Sequence, residues 1–137
     1  MEVCKIQYTS HIDVRYAETD QMGVVHHSVY AVWFEQARTE FFKTVGSTYA
    51  DVEKQGFLCP VLELNVRYRY PTHYGDTVDV KTTLMRKGKL HFKFHYCAYV
   101  KGTLCAEGYS LHCFLKDGKP TAELPPQVDL FFPPEKS

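Results

Sequence analysis

One stretch of the sequence gathers groups able to do acid–base chemistry: Val14-Arg15-Tyr16-Ala17-Glu18-Thr19-Asp20-Gln21-Met22-Gly23-Val24-Val25-His26-His27-Ser28-Val29-Tyr30. It holds two carboxylates, two phenols and two imidazoles, and runs into a segment with helical periodicity. The first turn of a helix presents backbone N–H groups without intrahelical acceptors and carries a partial positive charge. A carbonyl oxygen resting there is stabilised as it becomes an oxyanion, so the combination suits attack on a carbonyl. The N–H groups of His27 to Val29 are the donors this position implies, with Ser28 as a good N-cap. Ser28 could equally cap the helix for stability alone.

The residues before the junction alternate. Ile6, Tyr8, Ile12, Val14 and Tyr16 share one phase and Gln7, Thr9, His11, Asp13 and Arg15 the other, which predicts a half-buried strand over 6–16. If the extended run continues, Tyr16, Glu18 and Asp20 all point inward, where partial desolvation raises a carboxylate's pKa and basicity. Against that, an Asp ahead of Gly23 can simply brace a turn. The pattern does not separate Glu18 from Asp20, because a bulge near Ala17 would exchange them. Of His26 and His27, one is expected to hydrogen-bond substrate or water and the other to lie at the surface.

Other chemistries find less support. His91 and His95 share a strand face and His112 lies on another strand, but no HExxH or His/Cys set has ligand spacing, so no metal is expected. There is no GxSxG, no Gly-rich phosphate loop after a strand, and no cysteine near the junction in sequence. Arg86, Lys87 and Lys89 crowd one turn, where they either meet phosphates or are simply solvated.

The elements that must position these groups follow from periodicity. Val29, Trp33, Ala37, Phe41 and Val45 recur every fourth residue between Ser28 and the terminator Gly46, an amphipathic helix. Ser47–Gly56 reads as a shorter helix. Strands are expected over Val61–Tyr70, Thr77–Arg86, Leu90–Val100 and Thr103–Leu115, joined by Lys/Gly turns. From Leu124 a tail with four prolines around Leu130-Phe131-Phe132 is expected to be irregular, its apolar residues packing on the body or on a neighbour. The sum is one α+β domain over 1–137, a single long helix on a five-stranded antiparallel sheet. Such a sheet leaves an edge and a face uncovered, which a second chain would cover.

Composition narrows the partners. Residues are 45% hydrophobic and 23% charged, and the formal net charge is zero, which argues against nucleic acid and anionic membranes as main partners. No N-terminal apolar run follows basic residues and no apolar stretch nears membrane-spanning length, so a cytoplasmic protein is expected. Cys4, Cys59, Cys97, Cys105 and Cys113, an odd number without CxxC, are expected as reduced, mostly buried thiols.

The pattern Tyr-x-x-x-Thr-Asp-x-x-Gly-Val-Val-x-His-x-x-Tyr, followed by Phe34-Glu35-Gln36-Ala37-Arg38-Thr39-Glu40, resembles the 4-hydroxybenzoyl-CoA thioesterase family of hotdog-fold proteins. It is most similar to the bacterial acyl-CoA thioesterase branch associated with the Tol-Pal operon. Arg67-Tyr68-Arg69-Tyr70-Pro71, Tyr74-Gly75-Asp76 and Ala106-Glu107-Gly108 also resemble this family. The resemblance implies a hotdog fold, the sheet wrapped around the helix, and dimers or dimers of dimers with active sites at the subunit interface. It places the catalytic aspartate at Asp20, the carbonyl-polarising backbone N–H at His27, and a branch-specific tyrosine at Tyr16. It puts Gly23, Val25 and Ser28 beside the substrate, and CoA phosphate contacts at Arg86, Lys87 and Lys89. Close relatives carry Tyr where this chain has His26, which leaves substrate preference open.

The expected function is hydrolysis of an acyl-CoA thioester, with Asp20 as nucleophile or general base and no cofactor, CoA being part of the substrate. One rival is a hotdog 3-hydroxyacyl-thioester dehydratase or hydratase, which would recruit a His with Glu35 or Glu40. Others are an acyl-carrier-protein thioesterase and a non-catalytic acyl-CoA sensor. Thiol release, against loss of enoyl absorbance, separates the first two classes.

Overall fold

The computed structural model describes residues 2–132, with side chains from Ile6 onward; the Cys4 side chain and the tail's end, residues 133–137, lie outside it. In chain order the elements are β1 (Glu2–Asp13), α1 (Val29–Phe41), α2 (Tyr49–Lys54), β2 (Phe57–Leu58), β3 (Val61–Tyr68), β4 (Thr77–Lys87), β5 (His91–Val100), β6 (Thr103–Lys116), β7 (Lys119–Thr121) and α3 (Pro126–Asp129). The five long strands pair antiparallel in the order β1-β4-β5-β6-β3. Two short strands, β2 and β7, pair with the end of β6 and extend the expected five.

Alternation puts one phase of the sheet under the helix. Val78, Val80, Thr82 and Leu84 of β4 and Phe92, Phe94, Tyr96 and Ala98 of β5 are buried, their neighbours less so. Tyr30, Trp33, Phe34, Ala37 and Phe41 of α1 lie on that inner face. Phe34 stacks on Tyr96 with ring centroids 4.4 Å apart. Each such ring contributes about 2–3 kcal/mol by leaving water. The one long helix on an antiparallel sheet is therefore as the hydrophobic periods predict. At Gly108 of β6 a Cβ would stand 2.0 Å from the Asn65 carbonyl oxygen, so only glycine lets β3 approach here.

Several boundaries differ from expectation. The first strand ends at Asp13 rather than Tyr16: the Val14 N–H donates to the Asp76 carbonyl, and the chain turns into a 3-10 helix at Tyr16–Glu18. The last turn of the long helix, Phe42–Val45, is 3-10 and stops at Gly46, whose φ is +67°. The second helix is confined to Tyr49–Lys54 by a reciprocal Thr48/Asp51 cap. The tail is not wholly irregular: Pro126 opens the short helix α3, because the first helical position needs no N–H. Phe131 beyond it packs on Phe41 at 4.8 Å, and Phe132 lies 6.0 Å from Phe92.

A polar chain crosses the core. The Arg38 guanidinium donates to the Tyr96 hydroxyl (3.1 Å), Tyr96 meets Ser110 Oγ (2.6 Å), Ser110 meets His112 Nε2 (2.7 Å), and His112 Nδ1 meets the Pro60 carbonyl (3.1 Å). A guanidinium only donates and a carbonyl only accepts, so with a neutral imidazole one sense of donation satisfies every bond. Burial, aided by the Arg38 charge, pushes His112 down to about 4.

Candidate active site

The junction is a small hairpin pinned on both sides. The His26 N–H donates to the Glu18 carbonyl (2.9 Å) and the Asp20 N–H to the Val24 carbonyl (2.8 Å), with a bridge between Thr19 and Val25. Gly23 makes the turn at φ +76°, a conformation that favours glycine. Val25, buried, donates to the Thr72 carbonyl (2.8 Å), and Val24 bridges His73. Tyr16, Asp20, Gly23, Val25, His27 and Ser28 thus ride on one braced loop.

The expected inward phase does not survive the 3-10 turn. Tyr16 is 77% exposed and meets Tyr74 edge-on at 5.7 Å; Asp20 is exposed; only Glu18 is buried. Glu18 Oε1 accepts from the Arg15 N–H (2.8 Å), and Oε2 from Trp33 Nε1 (3.0 Å) and the Arg15 guanidinium (3.4 Å). Burial alone would raise this carboxyl, but the bonds from Arg15 and Trp33 outweigh it and hold it below its ordinary value. With both oxygens engaged, Glu18 braces the loop.

Asp20 divides its two oxygens. Oδ1 accepts from the Met22 N–H (2.8 Å) and the Val24 N–H (3.2 Å), bracing the turn. Oδ2 has no partner among the described residues. The turn-bracing and chemical readings of Asp20 therefore do not compete, since one oxygen orients the carboxylate and the other stays open.

At the helix start the roles differ from those expected. Ser28 is itself helical (φ −69°, ψ −19°) and makes no side-chain cap, because from that conformation its hydroxyl does not reach the first-turn N–H groups. His26 replaces it: Nδ1 accepts from the Ser28 N–H (3.2 Å) and meets the Ser28 hydroxyl (2.7 Å). The Val29 N–H donates to the His26 carbonyl (3.0 Å). Of the three expected donors, only the exposed His27 N–H lacks an acceptor among the described residues. Its carbonyl accepts from the Tyr68 hydroxyl (2.8 Å), a residue whose role nothing in the linear pattern marks.

Arg86, Lys87 and Lys89 are not brought to the junction. Thr77 pairs with Asp13 beside the loop, whereas Lys87 pairs with His91 at the other end of β4. At about 3.3 Å per residue, roughly 30 Å separate the two ends. Across β5 and β6, His95, Cys97 and Glu107 place their ligand atoms within 4.8 Å of one another, a cross-strand set that linear spacing does not display. Glu107 is also paired with Arg69, and burial raises the Cys97 thiol. Cys59, Cys97, Cys105 and Cys113 are free.

A family model described as the thioesterase-like superfamily matches residues 14–132. The Bacillus subtilis (strain 168) protein provisionally named acyl-CoA thioesterase YneP is 54% identical over 71 residues, 52% of this chain and 51% of that protein, so the match spans about half of YneP. The acyl-CoA thioester hydrolase YbgC of Escherichia coli O157:H7 is 30% identical over 83 residues, 59% of this chain and 62% of YbgC. Among solved structures, a DHNA-CoA thioesterase from Staphylococcus aureus superposes with a TM-score of 0.79 at 37% identity, covering 92% of this chain and 83% of that one.

Proposed function

The chain belongs to the thioesterase-like superfamily, and we propose that it hydrolyses an acyl-CoA thioester to the free acid and CoA. The observation that carries this reading is the open His27 N–H at the start of α1. The thioester carbonyl oxygen accepts from that N–H and gains negative charge there as the carbonyl carbon becomes tetrahedral. Asp20 Oδ2 either attacks the carbonyl, giving a mixed anhydride that water then opens, or takes a proton from the attacking water. In both routes the C–S bond breaks and CoA leaves as the thiol. Tyr16 and the His27 ring flank the reacting groups, beside Gly23, Val25 and Ser28. No cofactor takes part.

The active unit in this reading is a pair of chains. β3 bonds β6 on one side, its other edge has no partner among the described residues, and Val61, Leu62 and Leu64 lie exposed along it. A second copy on that edge covers them and lets Arg86, Lys87 and Lys89 of one chain serve the CoA phosphates of the other's site. We assign the chain to the Tol-Pal-associated branch of the 4-hydroxybenzoyl-CoA thioesterase family and place its work in the cytoplasm. No helix of the described residues is long and apolar enough to cross a membrane.

The test is thiol release from a panel of acyl-CoAs and acyl carrier proteins, read with a chromogenic thiol reagent. Asp20→Asn should lower kcat about a hundredfold or more; full turnover by that variant ends the proposal. Enoyl absorbance changing without thiol release would transfer the site to dehydratase chemistry.

A further inference from the structure

We propose that Tyr68 is a positioning residue that aims the His27 N–H at the substrate carbonyl; the inference rests on the thioesterase reading above. His27 joins two planar peptide units at its Cα: its N–H lies in the 26–27 unit, and its φ and ψ set how that unit is carried on the 27–28 unit that enters the helix, so holding the second steadies the aim of the first. The 26–27 unit is held where the His26 carbonyl accepts from the Val29 N–H (3.0 Å), a bond that also polarises the His27 N–H of the same unit. The 27–28 unit is held at one end by the long bond from the Ser28 N–H to His26 Nδ1 (3.2 Å). At its other end the Tyr68 hydroxyl donates to the His27 carbonyl at 2.8 Å. Tyr68 therefore supplies the shorter of the two bonds that orient this plane.

The phenol is itself built into the frame of the loop. Tyr68 is the last residue of β3, paired with Ala106, and its ring meets Tyr30 edge-on at 5.1 Å. Tyr30 meets Trp33 at 4.9 Å, and its hydroxyl bonds Thr72 Oγ1 (2.8 Å); the Thr72 carbonyl in turn takes the Val25 N–H. Burial pushes the Tyr68 phenol above its ordinary value, which keeps it a donor. The strand that offers the free sheet edge thus also holds the helix start in register.

Tyr68→Phe removes the donor and keeps the ring on Tyr30. It should lower kcat roughly tenfold while KM for an acyl-CoA changes less than about threefold, because the oxyanion contact strengthens only in the transition state. Binding of a CoA-linked trifluoromethyl ketone hydrate, which mimics the oxyanion, should weaken by the same factor, and that of the CoA thioether should not. The thermal midpoint should stay within about 3 °C of wild type. Hydrogen exchange of the Ser28 amide, which shares a peptide unit with the His27 carbonyl and donates to His26 Nδ1, should accelerate in the variant when read without substrate. Unchanged kcat and unchanged ketone affinity in Tyr68→Phe, with the wild type active, overturn this inference alone. Equal weakening of ketone and thioether overturns it as well, since Tyr68 would then act on binding in general. A wild type that releases no thiol removes the thioesterase reading and this inference together.

Discussion

Acid should destabilise this protein through His112, and the effect can be sized. The imidazole is fully buried, and the neutral ring satisfies every bond of the polar chain from Arg38 to Pro60. Unfolded, it takes a proton near its ordinary 6.5; folded, only near about 4. Between those values the unfolded state binds more protons, so stability is full above pH 6.5 and falls as pH drops toward 4. At about 1.4 kcal/mol per pH unit the interval amounts to about 3 kcal/mol. His112→Gln keeps a donor and an acceptor but does not titrate. Urea unfolding at fixed protein concentration, from pH 7.5 to 4, should show the wild-type advantage over the variant shrinking by about 3 kcal/mol. Carboxylates titrate in both proteins and cancel in the difference. Parallel stability curves would show that the ring is not held neutral, and the buried-chain argument would fall.

Other perturbations probe the frame around the site. Glu18→Gln should cost about 2 kcal/mol, because the Arg15 and Trp33 donors lose a charged acceptor. Since Glu18 lies below its ordinary 4.5, its contribution is present above that pH and lost as pH falls through its folded value, so the variant's melting temperature should vary less with acid below pH 4.5. Thr82→Val removes a buried hydroxyl that has no hydrogen-bond partner among the described residues and should raise stability by about 1 kcal/mol; a loss on chemical denaturation contradicts that. Gly108→Ala drives a Cβ into the Asn65 carbonyl and should cost about 2–4 kcal/mol with loosened β3 pairing, seen as faster amide exchange from Val61 to Tyr68. Lys87→Ala with Lys89→Ala should raise KM for acyl-CoA several-fold while leaving KM for a short pantetheine thioester unchanged.

What the sequence shows depends on whether the interaction is periodic or local. The face of α1 and the inner phases of β4 and β5 are legible because burial imposes their periods directly on Trp33, Ala37, Phe41, Val80 and Phe94. The carboxylate phase is not, because the strand's period is broken by a bond between Glu18 and Trp33, fifteen residues apart. Ser28 is a good cap by type, yet the ring of His26 occupies that role, and ring geometry does not show in a residue pattern. The tail misleads for a different reason: Pro126 forbids a helix interior but suits its first position. Asp20 and His27 are singled out by family resemblance, and the local geometry adds which oxygen and which N–H stay open.

The distance along β4 has a kinetic consequence. If the loop at the Thr77 end handles the carbonyl and the turn at the Lys87 end handles phosphates, one chain holds complementary halves of two different sites. Specific activity then becomes a function of total protein concentration, constant at high enzyme and falling in proportion to concentration once dilution separates the chains. Mixing a variant altered at Asp20 with one altered at Lys87 and Lys89 would give more turnover at low acyl-CoA than the two give separately, because half of each mixed pair's sites is assembled from undamaged parts.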